Sequence, residues 1–253
     1  MLPDLLASAK LKIEGADSHI KDVASQIRAF FETEPYPIRT YIDVEPPKQW
    51  FKVELIRALP GPLYARIGDA LSNTRSSLDH LAGALAVKNG YAAGSANFPV
   101  ARDQKVFESK RTQEKEKILG KDAWGMICGL KPYRGGNDLL WSLNNLRNTD
   151  FHETVVPIAS AVFNSSFNFR VQTVDQTSLI EMPTPARFDE NMVARIVGMP
   201  TSATISNGDF KVALDVAFSK VEPVEGQPVV AVLQQFLDFT RRTVALFEER
   251  FFI

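Results

Sequence analysis

Apolar residues recur at helical spacing over several stretches of this chain, separated by stretches in which they alternate or stop at turns. Residues 4–33 carry Leu5, Leu11, Ile20, Val23, Ile27, Phe30 and Phe31, and Pro35 and Pro37 end the run because proline cannot continue a helical ladder. Residues 60–88 hold the cleanest stripe: Leu63, Ile67, Leu71, Thr74, Leu78, Leu81 and Leu85 step by 4, 4, 3, 4, 3 and 4. Pro60-Gly61-Pro62 opens that helix and Asn89-Gly90 closes it. Asn97-Phe98-Pro99-Val100 reads as an extended, packed connection. Residues 103–128 combine a mixed-charge run (Lys110, Arg111, Glu114, Lys115, Glu116, Lys117), read as a solvated helix face, with an apolar helix end. After the loop Lys131–Asn137, Asn137 or Asp138 caps a helix to about Asn148. A last amphipathic helix spans 229–252 through Val230, Leu233, Phe236, Leu237, Val244, Phe247 and Phe251.

Strand-like patterns fill the remainder. Ile38–Val44 and Trp50–Leu59, joined across Pro46-Pro47, suggest a hairpin within 36–59. From Thr154 onward, Val155, Val156 and Ile158, then Phe167, Phe169 and Val171, then Leu179, Ile180 and Met182 suggest strands split by Asn, Ser and Pro turns. Val193–Met199 and Phe210–Phe218 continue the pattern. The expected class is α+β: a helical bundle interrupted by a hairpin, then an antiparallel sheet, with the last helix packing back on the bundle. One intertwined domain over 1–253 is expected. Within it, residues 1–152 are mainly helical, residues 153–225 are β-rich, and residues 226–253 form the terminal helix.

Composition narrows the partners. The 253 residues are 45% hydrophobic and 23% charged, as in an ordinary soluble globular protein. A net charge of −1 argues against a broad cationic surface for duplex nucleic acid, so any such contact would be local. Lone Cys128 forms no internal disulfide and reads as a core residue in a reducing compartment. The first ten residues lack a signal-peptide pattern, and no apolar run approaches membrane-spanning length, so a cytoplasmic protein with no membrane association is expected.

Two of the three histidines close the same pattern, L-x-N-x-R-x4-H: Leu71, Asn73, Arg75 and His80, then Leu143, Asn145, Arg147 and His152. Asp69, Asn73, Ser76 and His80 share one helix face, and Trp141, Asn145, Asn148 and His152 repeat the spacing. Five helical residues span roughly 500°, which leaves Arg and His about 140° apart on a regular helix. Convergence on one phosphate therefore needs the helix to end between them. That is expected around Arg147, where Asn148, Thr149 and Asp150 are poor helix formers, and not around Arg75, which should pair with Asp79 at i+4.

Arg147-Asn148-Thr149-Asp150-Phe151-His152 resembles the RNxxxH form of the signature of HEPN domains, helical modules that include metal-independent ribonucleases of defence and toxin–antitoxin systems. The resemblance implies that Arg147 and His152 contact a scissile phosphate and move protons, with Asn148 orienting them. Arg75 and His80 would supply a second copy, in which Ser76 stands in place of the asparagine. It also implies RNA as substrate, and a homodimer or a cognate antitoxin as partner. Residues 60–155 with the last helix also resemble a widespread set of bacterial proteins of uncharacterised activity, through Gly68–Leu81, Phe98-Pro99-Val100 and Lys131-Pro132-Tyr133. Such chemistry needs no cofactor or metal: imidazole titrates near neutrality, an arginine fork stabilises charge on the phosphorane, and a 2′,3′-cyclic phosphate results. Lys131 and Arg134 are candidate phosphate contacts. The opposing reading keeps Asn73, Arg75, Asp79, Asn145 and Asp150 as a buried polar network, or a non-catalytic phosphate or nucleotide pocket.

Overall fold

The computed structural model describes residues 4–33, 56–149, 215–218 and 222–253 in full, and the backbone alone in helical and extended segments between them. In chain order the helices are α1 (Ala7–Glu32), α2 (Gly61–Lys88), the short α3 (Gln104–Phe107), α4 (Lys110–Gln113), α5 (Lys115–Leu119) and α6 (Lys121–Gly129), then α7 (Asp138–His152) and α8 (Val229–Phe251). Of the residues described in full, 71% are helical, and one short strand, Asp215–Phe218, joins them against α8. This overturns the α+β expectation. Among the residues described in full, the body is mostly helical and holds neither a hairpin nor an antiparallel sheet. Side chains of the strand-like stretches before Asp215 lie outside the described residues, so their alternation says nothing about what they cover. No described helix is long and apolar enough to cross a membrane.

Helix α2 is the centre. Its whole stripe from Leu63 to Leu85 is buried, and further buried positions face α1, α7 and α8. Its start follows from Pro62 within the first turn, where a missing N–H leaves no bond unmade. Its end is a Schellman closure. The N–H of Gly90, at φ 84°, donates to the Val87 carbonyl at 3.0 Å, and that of Tyr91 to the Ala86 carbonyl at 2.9 Å.

Helix α1 lies antiparallel beside α2 through Ala9, Ile13, Ala16, Ile20, Val23, Ile27 and Phe30. That face corrects the expected one, for Leu5 and Leu11 are exposed, Leu11 at 66%. Alanines set its phase: Ala9 and Ala16 are fully buried because their short side chains let the two helices approach closely. Helix α8 packs on both, burying Val232, Leu233, Phe236, Leu237, Val244 and Phe247. Ion pairs tie its middle and its C-terminal part to α1, Arg241 to Asp17 at 3.6 Å and Lys10 to Glu248 at 2.6 Å. The charge run between 103 and 128 breaks into four short helices instead of one solvated face. Asp103 caps the first through the Val106 N–H at 2.8 Å.

Truncating Phe236 to alanine should lower stability by about 3–5 kcal/mol in urea unfolding, through the cavity left behind. Leu11→Ala, on the exposed face of α1, should stay within roughly 0.5 kcal/mol of the parent. If the Leu11 variant were the more destabilised, the register of α1 would be wrong.

Asp215, at the start of the strand, provides a pH test. Burial pushes its carboxyl above the usual range, and the Val216 N–H only partly opposes this. A raised acid disfavours its charged form in the fold, so its cost is present at neutral pH and disappears as pH falls below the normal carboxylate range. Asp215→Asn should therefore raise the melting temperature at pH 7, and the gain should shrink on acidification. A gain that grew in acid would contradict the burial.

Candidate functional site

Arg75 sits on the α7 side of α2 and is only 5% exposed. Each nitrogen of its fork has an acceptor. Nε donates to Asn144 Oδ1 on α7 at 2.9 Å, Nη1 to Asp79 Oδ1 one turn on at 2.7 Å, and Nη2 to the Phe98 carbonyl at 2.9 Å. The same Asp79 oxygen accepts the Phe98 N–H at 3.0 Å. The extended Asn97–Pro99 segment cannot satisfy its own backbone groups, and the Arg75–Asp79 pair does so at Phe98. The expected i+4 pair is present. Asn144 and Phe98 are the partners that sequence reasoning missed. The repeated spacing points to Asn145, but it is the neighbouring Asn144 that faces Arg75.

His80 leaves α2 on another side. Its Nδ1 lies 2.8 Å from Ser8 Oγ at the start of α1, and the residue is exposed. Asn73, one face up, accepts from Lys12 Nζ at 3.0 Å and donates to the Asp69 carbonyl at 3.1 Å. Near the other end of α2, Arg66 reaches His19 at 3.4 Å and Asp69 at 3.4 Å. The stripe from Asp69 to His80 is thus a polar seam with α1, while Arg75 points away from it. Unbroken helix across Gly61–Lys88 enforces this separation.

The α7 copy lies only partly within the residues described in full. Local propensity places the end of this helix near Asn148, yet it continues to His152, so positions 147 and 152 lie about 140° apart around its axis. Arg147 is half-buried, with Nη1 on Asn148 Oδ1 at 3.3 Å, and Asn148 is exposed. Asn145 is half-buried, and its carbonyl accepts from Thr149 Oγ1 at 3.0 Å. The side chains of Asp150 and His152 lie outside the described residues. Asn137, as expected, caps α7 through the Leu140 N–H at 3.0 Å. Lys131 is exposed at φ 48°. Arg134 is held by Glu222 at 2.8 Å and lies 5.1 Å from the Trp141 ring. Neither lines the hollow beside His80. Cys128 is half-buried rather than fully enclosed, and burial with nearby Glu116 pushes its thiol up, away from thiolate chemistry.

An open hollow of about 960 Å³ does occur, on the His80 side. Its walls come from the start of α1, the second half of α2 and the 93–97 segment, and Lys115 stands at its edge. The 93–97 segment crosses α2 closely because position 83 is glycine: a Cβ there would lie 2.8 Å from the Ala93 carbonyl oxygen. Lys115 belongs by sequence to the solvated run, yet it is half-buried and donates to both the carbonyl and the Oδ1 of Asn97. Only the apolar neighbours of the charge run could have hinted at that turn inward.

No family model, curated protein or solved structure matches the chain. Its chemistry therefore rests on these residues.

Arg75→Met should cost about 3 kcal/mol in urea unfolding, because Asp79 and the Phe98 carbonyl lose their buried donor. Arg75→Lys should recover only a fraction of that, since an ammonium lacks the planar three-way fork. Loss below about 0.5 kcal/mol for the methionine variant would show that the guanidinium holds nothing together.

Proposed function

We propose that the chain is a non-catalytic binding protein, a helical scaffold in which the α2 copy of the N-x-R-x4-H pattern is architectural. The observation that carries this reading is the commitment of Arg75: Nε, Nη1 and Nη2 each donate within the protein, at 5% exposure. A phosphate clamp needs guanidinium N–H groups turned toward a reachable anion, with an imidazole on the same side. Arg75 and His80 leave α2 on different sides, which supports a register-fixing polar network over a reaction centre. The ligand surface in this reading is the hollow beside His80.

A HEPN-like endoribonuclease is the second reading. In its favour stands Arg147, half-exposed near the end of α7 and bonded to the neighbouring Asn148, as an RNxxxH motif would have it. One digestion separates the two. Single-stranded RNA incubated with the purified chain in EDTA should yield no more cyclic-phosphate ends than a blank, and Arg147→Ala and His152→Ala should change nothing. Cleavage that either substitution abolishes would replace the binding reading with the nuclease.

A further inference from the structure

The hollow beside α1 is a place where the charges of this chain do not cancel. Asp79, on its wall, is committed to Arg75 through Oδ1 at 2.7 Å. Asp4, at its rim, is held by the Leu6 N–H at 2.9 Å and by Lys10 at 3.2 Å. That leaves Lys115 without an ion-pair partner among the described residues, half-buried, drawn by the nearby Asp79 charge and repelled by Arg75 and Arg111. An ammonium has three N–H bonds. Asn97 accepts two of them, so the third has no protein acceptor among the described residues. Across the hollow, His80 is anchored by Nδ1 to Ser8, which leaves Nε2 without a described partner. Gly83, Ala84 and Val87 supply a largely apolar floor between these polar groups.

Resting on the binding-protein reading, we infer that this hollow takes a small organic carboxylate, its anionic end on Lys115 and its short apolar body along Gly83, Ala84 and Val87. The hollow, at about 960 Å³ and open to solvent, admits such a ligand with room to spare. A single open ammonium N–H with one imidazole fits a monoanion. A phosphate ester would call for an arginine fork or a nest of backbone N–H groups, and Arg75 is already committed inside. Burial, with Arg75 and Arg111 nearby, holds the Lys115 ammonium below the ordinary lysine range despite the pull of Asp79. An anion seated beside it would offset that penalty.

The test is a titration of the full chain with hexanoate and with benzoate, followed by the amide shifts of Gly83, Gly94 and Asn97. Hexanol, hexylamine and inorganic phosphate serve as comparison ligands. Saturable shifts with the two carboxylates are expected, and none with the other three. Lys115→Met should weaken binding on the order of tenfold, the loss of one charge-assisted hydrogen bond, while Lys115→Arg retains it. Val87→Trp, which adds bulk to the apolar floor and leaves the charge alone, should weaken it too. Affinity should fall as pH rises past the depressed Lys115 pKa, earlier than for an ordinary lysine, and Lys115→Arg should show no such fall. Equal binding of hexanol, binding of phosphate alone, or an unchanged Lys115→Met variant would overturn the assignment. A chain that cleaves RNA yet binds hexanoate through Lys115 would defeat only the non-catalytic reading. A chain that does neither would defeat only the carboxylate assignment.

Discussion

The buried guanidinium of Arg75 is the interaction on which the rest of this molecule depends. Removing a charge from water costs several kcal/mol unless each of its donors finds an acceptor. Arg75 meets that demand by joining three separate pieces of chain: its own helix at Asp79, the extended segment at Phe98 and α7 at Asn144. Phe98 is bound at both its N–H and its carbonyl, so the segment that follows α2's turn is fixed against the helix it has just left. Asn97, the preceding residue, is thereby placed to hold Lys115, and Lys115 in turn forms one edge of the hollow. A line of hydrogen bonds connects the core to this hollow.

Small residues do the complementary work. Ala9 and Ala16 allow α1 to lie close against α2, and Gly83 allows the 93–97 segment to cross it. The hollow lies at the beginning of α1, beside the second half of α2. The polar seam from Arg66 to His80 runs along the same α1–α2 boundary and is mostly solvent-reachable. It orients α1 without the desolvation cost that Arg75 meets inside. The two members of the repeated motif therefore have different occupations on one helix, a strut within and a rim residue outside.

Much of the helical body is legible in the sequence. The α2 stripe, its proline start and its Asn-Gly stop are local features, and local geometry realises them. The Arg75–Asp79 pair is legible for the same reason, since i and i+4 are neighbours on any helix. Expectation and structure part where a phase or a partner comes from afar. Leu5 and Leu11 fit the α1 periodicity by type, although alanines set the buried phase. Lys115 reads as solvated because its neighbours in sequence are charged, whereas its surroundings in space are Asn97 and the wall of α2. Continuation of α7 past Asn148 likewise runs against local propensity, which tertiary packing routinely overrides.

By itself, the order of residues determined where α1, α2 and α8 begin and end to within a few residues, and that positions 75 and 80 could not face one ligand while α2 stayed whole. The first follows from local breakers and caps and the second from a fixed 3.6-residue turn, none of which needs knowledge of distant neighbours. Only the tertiary structure decided that Arg75 is enclosed and matched, that Asn144 and Phe98 are its partners, and that a lysine from a charged run edges the hollow. Burial and long-range pairing depend on which surfaces meet, and the pattern along a single strand of sequence carries no term for that.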